Sequence, residues 1–331
     1  MRAMILAAGL GTRMGALSQL CAKPALPVLG RPVIAWLLEF LAHQGVAEAA
    51  INLHHLPTSI ENAVDRFAPD GLAIVYSHET SPLGTGGGIA AMAEFLAQEE
   101  PALVLAGDMI LDCDLRALAA RHRESGADCS LVLQRRSPRN REFGTIGIDA
   151  GGSLRRIADR FDLGGETDSG VFVGLRIISP GLLGQRPDLP AGTAFEDLSD
   201  WWAPHAEAGS ADIRGLLLDE SDLDWQPVGT PGEYLAANLA PPRVSFLADA
   251  DPAAPGTRIL GENADLVLGA GAELGPGARL RRSVVWEGEE IPADFVGEGG
   301  VFAGGNFYFC EEGRAHGNPR AKQPGDDSNR G

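Results

Sequence analysis

The chain has 331 residues, 44% of them hydrophobic, enough for one large core and a smaller module. Its formal net charge of -18 argues against holding nucleic acid or an anionic membrane by charge, so an anionic ligand needs a local positive site within an acidic surface. No apolar run approaches ~18 residues, so no membrane span is expected.

Met4-Ile5-Leu6-Ala7-Ala8 is a short apolar run of the kind a buried parallel strand carries. It breaks into Gly9-Leu10-Gly11-Thr12-Arg13-Met14, with Lys23-Pro24 close behind. Glycines allow positive φ and bring backbone N–H groups near a ligand. Thr12 adds a hydroxyl, and Arg13 and Lys23 add cations. A strand that empties into such a loop suits an anion, best a polyphosphate, although a glycine-rich turn by itself fits a plain strand-to-helix connection equally well. The spacing contains neither Gly-x-Gly-x-x-Gly nor Gly-Lys-Ser/Thr, so neither a dinucleotide fold nor a P-loop follows. Of the 27 basic residues only Lys23 and Lys322 are lysine. A compact ammonium differs from a planar guanidinium, so the choice at position 23 carries meaning.

Leu6-Ala7-Ala8-Gly9-Leu10-Gly11-Thr12-Arg13 followed by Lys23-Pro24-Ala25-Leu26-Pro27-Val28 resembles the sugar-1-phosphate nucleotidyltransferases, and the order of later motifs agrees over residues 1 to about 240. The resemblance implies nucleotide contacts from Leu6, Ala8, Gly9, Gly11 and Thr12. It implies catalytic roles for Arg13 and Lys23, and Mg²⁺ as cofactor.

Further along, Pro32 opens a helix with Val33, Leu37, Phe40 and Leu41 on its apolar face, and Gly45 ends it. Ala49 to Leu53 reads as a strand, Pro57 to about Phe67 as a helix, and Gly71 to Tyr76 as a strand. This alternation predicts an α/β fold, Rossmann-like, with a mostly parallel sheet and helices on both faces. Leu83-Gly84-Thr85-Gly86-Gly87-Gly88-Ile89 offers backbone donors and close approach, and the resemblance sets Gly84, Thr85 and Gly86 beside the nucleotide base. Ala102 to Gly107 is a buried strand ending in Asp108. Ligands of open α/β sheets gather at such strand ends, so Asp108 is the expected metal ligand, with capping of the next helix left to Asp112 or Asp114.

A helix is expected over 114–125 and a strand from Cys129 to Leu133. Phe143 to Ile148 resembles a strand whose aromatic-Gly pair contacts the sugar, through Gly144 here. Leu154 to Phe161 follows, where the family carries a Glu-Lys pair that grips the sugar phosphate. This chain has no lysine there, and Arg160 or Arg156 takes the part. Ser169 to Ile177 resembles the strand that places Asn or Thr near the sugar, a position held by Val173. Phe195-Glu196-Asp197-Leu198 is read as structural. Asp224 to Tyr234 resembles Trp-x-Asp-x-Gly-Thr-Pro, whose Asp is the second magnesium ligand. Pro227 stands in that place, and the nearest carboxylates are Asp224 and Asp222.

Pro241-Pro242 marks a linker. Beyond it Leu268, Leu274 and Leu280 recur every six residues, with Ala272, Ala278 and Val284 two residues before the next apolar position. A six-residue period predicts a short left-handed parallel β-helix of one to two coils, lying on the first domain or on another subunit. The expected domains are 1–240, 241–312 and a disordered, polar tail over 313–331. The four cysteines, Cys21, Cys113, Cys129 and Cys310, form no Cys-x-x-Cys pair, so neither zinc nor a redox motif is indicated. With no leader evident, a reduced cytoplasm is the expected compartment.

The reading that results is transfer of a nucleotidyl group from a nucleoside triphosphate to a sugar 1-phosphate, in the manner of mannose-1-phosphate guanylyltransferases. Two alternatives stand beside it: an amino-sugar-1-phosphate uridylyltransferase, and a catalytically silent nucleotide-sugar-binding relative. Neither nucleic acid nor membrane is an expected partner, and a homo-oligomer is expected through the C-terminal module.

Overall fold

The computed structural model describes residues 1–310 except 191, 242, 248–251 and 262–264; the tail expected over 313–331 lies outside the described residues. Four strands form a parallel heart in the order β4-β1-β2-β3: β1 (Arg2–Leu6), β2 (Glu48–Leu53), β3 (Ala73–His78) and β4 (Ala102–Ala106). Side chains of a strand alternate between faces. Ala3 and Ile5 therefore enter one core, beneath α1 (Val33–His43) and α2 (Pro57–Phe67), and Met4 enters the other, beneath α3 (Gly84–Ala91) and the Trp201-Trp202 pair. Leu103 and Leu105 divide from Val104 in the same way. Two cores, one on each face, are what the strand–helix alternation demands. Helix α1 stops where expected. Gly45 takes φ 83°, its N–H reaches Ala42 O at 2.9 Å, and Val46 N–H reaches Leu41 O at 3.0 Å, a Schellman close.

An antiparallel wing extends the sheet past β4. In it β6 (Cys129–Arg135), β7 (Ile146–Ile148), β8 (Leu154–Ile157) and β9 (Asp168–Ile178) pair antiparallel, while β10 (Ile213–Leu218) runs parallel to β6; β5 (Met109–Asp112) and β11 (Asp224–Pro227) stand outside this sheet, and α4 (Leu115–Ser125) joins β5 to β6. β9 lies antiparallel to β4, Leu175 opposite Leu105, and carries both β6 and β7. β5 and β11 form a separate ribbon, with Met109 opposite Pro227 and Asp112 opposite Asp224. Two expected strands are shorter than their sequences suggest. The first begins only at Ile146, because Gly144 turns at φ 70°; the second ends at Ile157, because Ala158 turns at φ 45°.

The C-terminal module is β-helix-like. Strands β12 (Leu266–Leu268), β14 (Arg279–Val285) and β16 (Val296–Ala303) stack in parallel, as do β13 (Glu273–Leu274) and β15 (Glu290–Ile291), and β17 (Asn306–Phe309) folds back on β16. Leu266 lies over Ser283 and Ser283 over Gly300, so one coil takes 17 residues, one short of three hexapeptides. Positive φ at Arg282 and Gly299 bends the long strands into a corner. Leu274, expected inside, is exposed instead; Leu266, Leu268, Ala272, Val285, Ile291 and Phe302 fill the interior. The module lies on the first domain. Val267, Val284 and Val301 enter its core beside α5 (Pro231–Leu239), and Tyr234 Oη donates to Pro27 O at 2.8 Å while accepting from Trp286 Nε1 at 2.9 Å.

Candidate active site

A cleft of about 360 Å³ opens at the carboxyl ends of β1 and β4, where an open α/β sheet presents its ligands. Its wall begins with the turn after β1. Gly11 sits at φ 64° and starts a 3-10 turn, Thr12–Met14. The backbone N–H groups of Gly9, Leu10, Gly11 and Thr12 have no protein acceptor among the described residues. Four successive free donors on a bent backbone make a concavity for an anion. The side chain of Lys23 passes under this turn; a Cβ on Gly11 would lie 3.6 Å from that of Lys23.

Lys23 is buried, with only 10% of its side chain exposed, and its Nζ lies 2.8 Å from Asp108 Oδ2. Asp108 follows Gly107, which must be glycine for close approach: its N–H reaches Leu6 O at 2.9 Å, and a Cβ there would stand 2.6 Å from that same oxygen. Asp108 caps no helix. Asp114 does that, accepting from Ala117 N at 2.9 Å. Arg13 is more exposed and completes the group, its NH2 3.9 Å from Asp108 Oδ2. Two cations thus share one carboxylate, which leaves the net positive charge an anion needs.

The second glycine loop is built differently. Gly86 N and Gly87 N both donate to Phe195 O, at 3.0 and 3.3 Å, and a Cβ on Gly86 would lie 2.4 Å from the Phe195 ring. Gly86 is therefore glycine to seat the 195–197 strap, and its donor is not open to a nucleotide base. Polar side chains line this side instead. Thr85 Oγ1 lies 2.7 Å from Glu196 Oε2 and 2.6 Å from Asp197 Oδ1, and accepts from Asp197 N at 3.0 Å. Asn52 is buried at the floor. Its Oδ1 accepts from Ala7 N at 2.7 Å, and its Nδ2 donates to Glu79 Oε1 at 2.7 Å. Glu79 Oε2 in turn accepts from Leu83 N at 2.9 Å, tying β1, β2 and the second glycine loop together. Arg176 reaches the cleft from β9 as one half of a buried ion pair with Asp197.

Of the expected site residues, Leu6, Ala8, Gly9, Gly11, Lys23, Gly84, Thr85 and Asp108 line the cleft. Thr12 and Arg13 stand at its mouth on the same turn. Val173 is 1% exposed and packed in the core, so its side chain touches no ligand in the cleft. Gly144 lies on the wing against Ala158, and Arg160 is exposed on the turn after β8. Asn52, Glu79 and Arg176 were not singled out by the sequence, and Glu196, expected to be structural, also lines the cleft. A polar residue inside the apolar run 49–53 was the available signal for Asn52. Asp222 and Asp224 lie in another cleft with Asp112, Asp114 and Ser245, so neither serves as a second carboxylate beside Asp108. Among the described residues no group of three or more His, Cys, Asp or Glu side chains is placed to hold a metal ion. No helix among them is long and apolar enough to cross a membrane.

Residues 2–161 match the family model described as nucleotidyl transferase. A mannose-1-phosphate guanylyltransferase of Mycobacterium tuberculosis is 29% identical over 307 residues, covering 89% of this chain and 82% of its own. A UTP--glucose-1-phosphate uridylyltransferase of Synechocystis is 28% identical over 249 residues, and a mannose-1-phosphate guanylyltransferase catalytic subunit beta of Drosophila pseudoobscura pseudoobscura is 25% identical over 238. The match spans 62% and 60% of those two proteins' lengths. Among solved structures, HddC from Yersinia pseudotuberculosis shares the fold, with TM-score 0.59 and 22% identity over 72% of this chain and 97% of its own; a complex of it with GMP-PN is also known.

Proposed function

We propose that the chain, whose residues 2–161 match the nucleotidyl transferase family model, transfers a nucleotidyl group from a nucleoside triphosphate to a sugar 1-phosphate. GTP and mannose 1-phosphate are the first candidate pair, because guanylyltransferases recur among the relatives. The observation that carries this reading is the Lys23–Asp108 pair at 2.8 Å beneath a turn of unpaired N–H groups. In the reaction a phosphate oxygen of the sugar 1-phosphate bonds to the α-phosphorus, and the bond from that phosphorus to the β-phosphate oxygen breaks. Pyrophosphate leaves. The protein's work is alignment and charge compensation. The N–H groups of Gly9 to Thr12 and the guanidinium of Arg13 hold the β- and γ-phosphates, and Lys23 faces the α-phosphate.

The residues present fit Mg²⁺ as an ion carried in on the phosphates. Asp108 is the carboxylate beside Lys23, whereas Glu79 and Glu196 in the same cleft are engaged by Asn52, Leu83 and Thr85, and Mg²⁺ keeps several waters and needs few protein ligands. When bound it would neutralise phosphate oxygens. The C-terminal module is the proposed contact between copies, since its outer faces expose Leu274, Val296 and Phe309. A single monomer mass by light scattering across a tenfold concentration range would overturn that contact.

Pyrophosphate release tests the activity. GTP, UTP and ATP are each paired with mannose 1-phosphate, glucose 1-phosphate and an amino-sugar 1-phosphate, the last with UTP being the uridylyltransferase alternative. Release is expected with at least one pair. Pro227 in place of a carboxylate favours the second reading, a silent nucleotide-sugar binder; binding of GDP-mannose without any release would establish it.

A further inference from the structure

The stretch where the resemblance implies a cation on the sugar phosphate provides none aimed at the cleft. Arg156 is consumed locally: Nε and NH2 hold Glu166 at 2.6 and 3.0 Å, while NH1 and NH2 hold Thr145 O and Oγ1 at 3.1 and 2.7 Å. The Arg160 side chain is exposed and makes no hydrogen bond or ion pair among the described residues.

Another arginine stands against the ribbon that follows Asp108. Arg139 lies in the loop after β6, its guanidinium 6.0 Å from the Trp225 ring centre. Its NH2 is 3.4 Å from Gln226 Oε1, and its NH1 is 3.7 Å from Glu233 Oε1. Gln226 is paired with Ile110, two residues beyond Asp108. Glu233 is 7% exposed. Its Oε2 accepts from Gly229 N at 2.8 Å and from Thr230 Oγ1 at 3.2 Å, and Thr230 Oγ1 caps the start of α5 by accepting from Glu233 N at 3.3 Å. Its Oε1 is buried without a hydrogen bond. Burial, and then the charge of Glu142, hold the Glu233 carboxyl above the usual range. On the other side of the same turn is Arg13: a Cβ on Gly229 would lie 3.2 Å from Arg13 NH2 and 2.9 Å from Glu233 Oε2. Charges therefore alternate in a row, Lys23, Asp108, Arg13, Glu233, Arg139, with a half-satisfied carboxylate between two guanidinium groups. Such a pair suits the planar, bidentate grip on a phosphate.

We propose that Arg139 binds the phosphate of the sugar 1-phosphate, and that Glu233 is the positioning residue that holds Arg139 beside Arg13. This deepens the transfer reading and rests on it. The test is binding calorimetry on the full chain, using GDP-mannose against GMP and UDP-glucose against UMP. Each pair differs by the sugar and its phosphate, and none of the four measurements needs turnover. Arg139→Gln should weaken the nucleotide sugar at least ~10-fold and the monophosphate less than ~2-fold, with Arg139→Lys recovering part of the loss. Glu233→Gln, which keeps an acceptor for Gly229, should weaken the nucleotide sugar selectively but less. Equal losses on both ligands of a pair would show that Arg139 only staples its loop, and would overturn the proposal. So would no loss, selective loss in Arg160→Gln instead, or a parent chain that binds neither nucleotide sugar. Absent pyrophosphate release alongside the expected binding pattern would count against transfer alone, leaving the Arg139 assignment standing.

Discussion

At the scale of single residues, Lys23 is the side chain whose position says most. It is buried under the first turn, and among the described residues Asp108 alone answers its charge at hydrogen-bond distance. Lys23→Ala should lower pyrophosphate release at least ~100-fold, about 3 kcal/mol of transition-state stabilisation, with circular dichroism unchanged. A rate within a few-fold of the parent would remove Lys23 from the α-phosphate. Pro227 tests the single-carboxylate site. It lies opposite Met109, the neighbour of Asp108, so a carboxylate there would stand next to the Lys23–Asp108 pair. Pro227→Asp should lower the magnesium concentration for half-maximal release, whereas Pro227→Ala, which equally restores the backbone donor, should not. Identical titrations of the two variants would end the missing-ligand argument.

At the scale of elements, the second glycine loop and the β5–β11 ribbon each make a measurable claim. Gly86 seats Phe195, and a methyl there has no room. Gly86→Ala should cost about 1–3 kcal/mol and lower Tm by a few degrees. An unchanged melt would mean that the 195–197 strap gives way freely. In the ribbon, Asp224 lies directly opposite Asp112, whose carboxylate takes Ser245 Oγ at 3.1 Å. Burial first, and Asp112 second, raise the Asp224 carboxyl. A raised acid keeps its proton longer in the folded chain, so its ionisation weakens the fold as pH climbs from the ordinary aspartate range through the raised value. Asp224→Asn should therefore raise stability at pH 7 by about 0.2–1 kcal/mol, the cost of a like-charged cross-strand pair, and have no effect at pH 3. Equal shifts at both pH values would assign the effect to packing.

At the scale of the whole molecule, the C-terminal module is part of the first domain's core. Val267, Val284 and Val301 are each 3% exposed or less and share that core with Leu235 and Val244, and Trp286 is tied to Tyr234. A chain ending at Leu239 should lose several degrees of Tm and bind a hydrophobic dye, because the face of α5 is then left bare. A truncated chain as stable as the parent would make the module an independent appendage.

The apolar runs at residues 4–8, 49–53 and 102–107 specified the strands by themselves, since a parallel strand buried on both faces has few ways to be written. Glycine before a cation and Asp at a strand end marked the Lys23–Asp108 side of the cleft for the same local reason. The floor and far wall of the cleft were not legible. Asn52 and Glu79 meet across 27 positions, Thr85 and Glu196 across 111, and Arg139 approaches Glu233 only once the ribbon and α5 are assembled. The role of Gly86 was misread because a glycine demanded by a neighbouring ring and a glycine offering its N–H look alike in sequence. The hexapeptide spacing announced a β-helix, yet the coil of 17 residues and the face that enters the first core were decided by the corners at Arg282 and Gly299 and by burial against α5. Local chemistry is written in neighbouring letters, and complementarity between distant surfaces exists only when the chain has folded.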